Sequence, residues 1–221
     1  RYLRNLSAEL HAIRMWMLQA ESDGLCELVE RTSVTVADII EVFENPKYKD
    51  RIAIFHYGGH ADGFSLLLES SSGSNTMTDK EGLVSFFAKQ HSLKLIFLNG
   101  CSSEGQTNAL LKAGIPAVIG TMSAINDELA TQIASRFYKS LSMGAGIEQA
   151  WNSAIDEVKM TADKLENLDD GAVSVQTRDL HWKGKVEKLD QFPWKINFKD
   201  GGDLTRKWNL PDESENPLFG L

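Results

Sequence analysis

The sequence predicts an α/β fold, a mostly parallel sheet flanked by helices on both faces, and three observations carry that expectation. Strand-like and helix-like stretches alternate through about residue 160 with short turns between them. The run RIAIFHY at 51–57 is apolar enough for a strand buried on both faces. The helical stretches carry start signals just ahead of apolar residues at 3,4 spacing.

In chain order, Leu3, Leu6, Leu10, Ile13 and Met17 mark an amphipathic helix. The chain opens without Met and with no strand before this helix, so an excised module or a fragment of a longer chain is expected. Residues 25–30 (LCELVE) suit a strand. Thr35 with Asp38 three places on is a capping pattern for a helix through Val36, Ile39, Ile40 and Phe43, closed by Pro46. After RIAIFHY and the Gly58, Gly59 and Gly63 region, FSLLLE at 64–69 is expected to pair beside it, and 70–75 (SSSGSN) to be a mobile loop. Thr78 with Glu81 reads as a second capping box, opening a helix through Leu83, Val84 and Phe87 toward the strand LKLIFL at 93–98. A short helix at 106–113 stops at Gly114, and PAVIG supplies the next strand. Asn126, Asp127 and Glu128 start a helix with Leu129, Ile133, Phe137 and Leu141 on one face, ended by Gly144. Ile147, Ala150, Trp151, Ala154, Ile155 and Val158 continue the 3,4 spacing. Beyond about residue 162, AVSVQT and WKINF alternate as exposed strands do, and the tail is irregular. The expected division is a domain over 1–162 with an appendage, 163–221, packed on it.

Composition narrows the classes. With 221 residues, 42% of them hydrophobic, the chain can bury a sizeable core. A formal charge of -8 spread over both halves argues against direct nucleic-acid binding, which rests on clustered Lys and Arg. No apolar run approaches the ~18 residues of a membrane span, and nothing resembles a signal peptide. Two cysteines are too few for a disulfide framework, so a reducing, cytoplasmic setting is expected.

Open parallel sheets place their working groups at the carboxyl ends of the strands. Two such ends are conspicuous: FHYGGHAD, leading to His60 and Asp62, and LIFLNGCSSEGQ, leading through Asn99 and Gly100 to Cys101. If these strands are neighbours, His60 and Cys101 share one sheet edge. A thiol attacks as thiolate, and an imidazole beside it takes the proton and later protonates the leaving amine. Backbone N–H groups of Cys101 and Ala61 are then the candidates to receive the oxyanion. The chemistry needs no metal and no cofactor. Both reactive groups are expected on exposed loops.

Followed by AVIGTMSAINDELA and RFYKSL, these two strand ends make residues 1–160 resemble the CHAT-domain branch of the caspase-like cysteine peptidases, relatives of separase. The resemblance implies a caspase-type parallel sheet and endopeptidase activity by a His/Cys dyad, with those roles carried to His60 and Cys101. It also implies a protein or peptide substrate and an activating partner domain or protein, in bacteria often within defence systems. The sequence departs at Ala61, where the family often has Gly, and in lacking the first strand that usually precedes the opening helix in the family. In separase-like relatives an acidic residue after the strand following the nucleophile floors the first specificity pocket. GTMSAIND resembles that segment, with Asp127 at the matching place, which implies cleavage after Arg or Lys.

Plainer explanations stand beside these. Cys26, inside LCELV, fits a small buried hydrophobe. His56 and His60 are four apart, a spacing that converges on one metal only in a helix, and FHYGGH is strand then turn. His91 and His181 sit among polar residues, as solvated groups do. Asp127 and Glu128 suit the first turn of a helix on electrostatic grounds alone. Asn99 either lines the substrate pocket or supplies the turn. The competing function is a catalytically silent caspase-like docking module, which has no physical need for both His60 and Cys101. Another thiol-dependent hydrolase would want a deep small-molecule pocket.

Overall fold

The computed structural model describes residues 5–60, 66–69, 75–77, 79–101, 103–123, 125–166 and 192–210. Its elements are α1 (Leu6–Ser22), α2 (Val36–Glu44), β1 (Ile54–Gly58), β2 (Leu67–Glu69), β3 (Asn75–Met77), α3 (Lys80–Ala88), β4 (Leu95–Asn99), α4 (Glu104–Lys112), β5 (Ala117–Thr121), α5 (Asp127–Ser142), α6 (Ile147–Glu166), β6 (Trp194–Phe198) and α7 (Asp203–Lys207). A 4-stranded sheet runs β1-β4-β5-β6. Its first two pairings are parallel and the last is antiparallel. The α/β class with a mostly parallel sheet is therefore the one the sequence predicts.

Two compact units make up the chain. The sheet unit comprises 31–125 and 177–202, and the helical unit 2–30, 126–176 and 203–221. In the sheet unit, β4 and β5 are buried at every position. RIAIFHY, expected to be covered on both faces, is half-buried along β1, because it is an end strand of the described sheet and has one neighbour there. Ile39 and Phe43, four apart on α2, join Phe87 of α3, Ile96 and Leu98 of β4 and Leu110 of α4 in one apolar core. Phe43 meets Phe86 and Phe87 edge-on, with centroids at 5.4 and 5.7 Å. In the helical unit, α1 and α6 both pack on α5. The contact faces are Ile13, Met17 and Ala20 on α1, Ile133, Phe137 and Leu141 on α5, and Ala150, Trp151 and Ala154 on α6.

Local signals held where the bond partners lie close in sequence. Thr35 and Asp38 form the reciprocal capping box of α2. Gly114 and Gly144 end α4 and α5 with φ of 107° and 86°, a conformation that favours glycine.

Four expectations are corrected. Residues 25–30 form no strand: Leu28 N–H donates to Glu21 Oε1 at 2.6 Å and Glu30 pairs with Arg14, so side chains of α1 hold the segment. The cap of α3 is Asp79, whose carboxylate accepts the Gly82 N–H at 2.7 Å. A carboxylate one residue nearer the helix does the task read into Thr78 and Glu81. Within FSLLLE the described strand, β2, is not a neighbour of β1; it pairs antiparallel with β3 in a separate 2-stranded sheet. WKINF forms a strand as expected, but it is the fourth strand of the main sheet, antiparallel to β5, and its Trp194 is buried rather than exposed. AVSVQT and the loop at 70–74 lie outside the described residues.

Candidate active site

The parallel register of β1 and β4 sets the site. Gly58 is paired with Asn99, and each strand continues through a glycine to its reactive residue, Gly59 to His60 and Gly100 to Cys101. The two candidate groups thus stand two residues past the same rung of adjacent strands, at their carboxyl ends.

Both turns are held tightly. Tyr57 O–H donates to the His60 carbonyl at 2.5 Å. A Cβ on Gly59 would lie 2.6 Å from the Tyr57 oxygen, so this tie requires glycine there. Thr121, the last residue of β5, donates its hydroxyl to the Gly100 carbonyl at 2.5 Å and accepts the Ser103 N–H at 3.2 Å. Thr121 N–H in return donates to Ser103 Oγ at 2.8 Å, and Thr107 Oγ1 donates to the Ser103 carbonyl at 3.1 Å. Gly120 lets α4 sit this close: a Cβ there would meet Thr107 Oγ1 at 2.2 Å.

Neither reactive group is on an exposed loop, which corrects the sequence expectation. Cys101 is 0% exposed and His60 8%. The Ile125 N–H donates to Cys101 Sγ at 3.2 Å, so the segment after β5 closes over the thiol. Asn99 is also fully buried, and its Oδ1 accepts the Trp194 indole N–H at 3.0 Å, tying the root of the Cys101 turn to β6. Ala61, the other candidate oxyanion donor, lies outside the described residues.

Asp127 belongs to the helical unit. It is buried at the first position of α5, where its Oδ2 accepts the Asn5 N–H at 3.2 Å. Asn126 caps the helix, accepting the N–H groups of Glu128 and Leu129 at 2.8 and 3.2 Å. Cys26 lies in the same unit, where burial and the nearby Glu21 carboxylate push its thiol up to about 11.

The residues missed from sequence are Ser103, Thr107, Thr121, Trp194 and Gln106. The threonine ending β5 and the glycine before it gave no local signal, because their partners are 18 or so positions away. Gln106 is 1% exposed, and neither of its amide atoms has a hydrogen-bond partner among the described residues. Among the described residues no group of three or more His, Cys, Asp or Glu side chains is placed to hold a metal ion, and no helix is long and apolar enough to cross a membrane.

Compared with known families, residues 3–184 match the CHAT domain. No curated protein matches the chain.

Proposed function

We propose that this chain, which belongs to the CHAT domain family, is a cysteine endopeptidase in which Cys101 and His60 form the catalytic dyad. The family is related to caspase-like cysteine peptidases. The single observation that carries the reading is the Gly58–Asn99 rung, from which both groups are two residues removed on neighbouring parallel strands.

In this mechanism His60 takes the Cys101 proton and the sulfur attacks the scissile carbonyl carbon. The oxyanion is received by the backbone N–H groups of Cys101 and Ala61. As the tetrahedral intermediate collapses, the C–N bond breaks and the imidazolium protonates the leaving amine. His60 then draws a proton from water, whose oxygen attacks the thioester carbon and releases the peptide acid and the thiol. The substrate is a protein or peptide, with no metal or other cofactor in any step.

Because Cys101 is fully enclosed with the Ile125 N–H on its sulfur, a substrate has to displace that contact. An activating partner domain or protein is the agent of opening in this reading. That partner, and a cytoplasmic bacterial defence setting, rest on the family resemblance alone.

The same burial favours a second reading, the silent docking module, since a structural cysteine sits in this way. Incubation with a proteome-derived peptide library, cleaved ends being read by mass spectrometry, separates the two. Cleavage by the wild type and none by Cys101→Ala or His60→Ala supports the peptidase. Equal cleavage by wild type and both variants overturns the dyad.

A further inference from the structure

The geometry assigns Thr121 as a positioning residue for the nucleophile, a role that rests on the dyad reading. Cys101 is flanked by Gly100 and, two residues on, by Ser103. The carbonyl of the first and the N–H of the second converge on one oxygen, Thr121 Oγ1, at 2.5 and 3.2 Å. The hydroxyl donates to one and accepts from the other, so a single O–H bridges the two ends of the turn. The return bond from Thr121 N–H to Ser103 Oγ at 2.8 Å closes the clasp, and Thr107 Oγ1 fixes the Ser103 carbonyl from the next turn of α4.

All of these side chains are buried, Thr121 and Ser103 being 0% exposed. Their bonds are therefore made away from water, where a lost partner leaves an unpaired polar group. Held at both ends, the turn is restrained in how it presents the Cys101 sulfur and backbone N–H. Those are the two atoms the mechanism uses, as nucleophile and as oxyanion donor. Thr121 touches neither substrate nor sulfur in this scheme. It acts by fixing the Gly100–Cys101 peptide plane, which carries the Cys101 N–H, and by anchoring the chain two residues on at the Ser103 N–H, where a misplacement of about 1 Å costs roughly a hundredfold in rate.

Valine replaces threonine with nearly the same shape and no hydroxyl, while serine keeps the hydroxyl and drops the methyl. The test compares Thr121→Val, Thr121→Ser and wild type for peptide cleavage and for the rate at which iodoacetamide labels Cys101, with thermal unfolding as the check on folding. The expected result is a folded Thr121→Val protein with kcat lowered roughly a hundredfold at unchanged KM, an altered Cys101 labelling rate, and both values restored in Thr121→Ser. Wild-type kcat and labelling in folded Thr121→Val overturn the assignment, as do equal losses in both variants, which would make shape rather than the hydroxyl the cause. Should Thr121→Val fail to fold, Thr121→Ala removes the same hydroxyl and is read against the same outcomes. If the isolated chain does not turn over, labelling decides alone. Failure of the dyad reading is recognised separately, by Cys101→Ala or His60→Ala keeping wild-type turnover whatever Thr121→Val does.

Discussion

The two units bury polar groups for different ends. Among the described residues the sheet unit buries His60, Asn99, Ser103, Gln106, Thr107 and Thr121, all between the end of β1 and the end of β5. The helical unit buries Glu9, Asp127 and Ser140, spread over α1 and the two ends of α5. Burying a polar group is costly unless it is paired, so a dense set of them marks a place where shape is specified closely. In the sheet unit that place is the turn carrying Cys101. In the helical unit the buried groups stand apart from one another, as with Asp127 at the start of α5, whose carboxylate accepts the Asn5 N–H from the start of α1. The cysteines follow the same division: Cys101 receives a backbone N–H on its sulfur, whereas Cys26 faces a carboxylate.

The largest test of this contrast is catalytic. Cys101→Ala and His60→Ala are expected to lower peptide cleavage by about 10⁴-fold or more, and Cys26→Ala to leave it unchanged. Library cleavage followed for all three variants checks this, and a loss with Cys26→Ala would break the division.

Next in size is chemical selectivity. Iodoacetamide is expected to label Cys101 before Cys26, although Cys26 is the more exposed of the two. With its thiol at about 11, Cys26 is thiolate to roughly one part in a thousand at pH 8. Peptide mapping after brief exposure reads the order, and Cys26 labelling first would mean that access outweighs the dyad.

Asp127→Ala sharpens the comparison from the other unit. Loss of the Asn5 bond and of a first-turn carboxylate is expected to lower stability by about 1–2 kcal/mol, measured by denaturant unfolding. The same variant on the peptide library decides the cleavage preference. A fall confined to cuts after Arg and Lys supports the basic-pocket expectation, and an unchanged preference leaves Asp127 a helix-start residue.

The smallest effect is at alkaline pH. The folded Cys26 thiol stands above its ordinary value of 9.0, so the folded state holds its proton where the unfolded state has released it. Its contribution to stability is complete below about pH 9 and is lost as pH rises through about 11. Thermal unfolding across that window is expected to fall less steeply for Cys26→Ala than for wild type.

What could be read from sequence were the features whose causes lie within a few residues. Thr35 and Asp38 meet three positions apart, and Asn126 caps the two N–H groups just beyond it. The strand ends at His60 and Cys101 were visible for the same reason, as glycine-led breaks after apolar runs. Their neighbourhood was a condition in the sequence reading, and the parallel pairing of β1 with β4 meets it. Burial of both groups was not legible, since Ile125 closes on Cys101 from 24 positions away. Nor was Trp194, 95 positions from the Asn99 it bonds. WKINF looks the same in composition whether solvent or β5 lies beside it.

That distance has a consequence for how the protein is made. A ribosome has finished β5 at residue 121 but must add residues up to 198 before β6 can cover its open edge. At about 5–20 residues per second the delay is several seconds. During that time the outer edge of β5 stands bare, the kind of surface on which nascent chains stick to one another. Asn99 has no indole to bond for the same interval. β6 supplies the Trp194 tie to Asn99, so a translation product that ends before it lacks that hold on the root of the Cys101 turn.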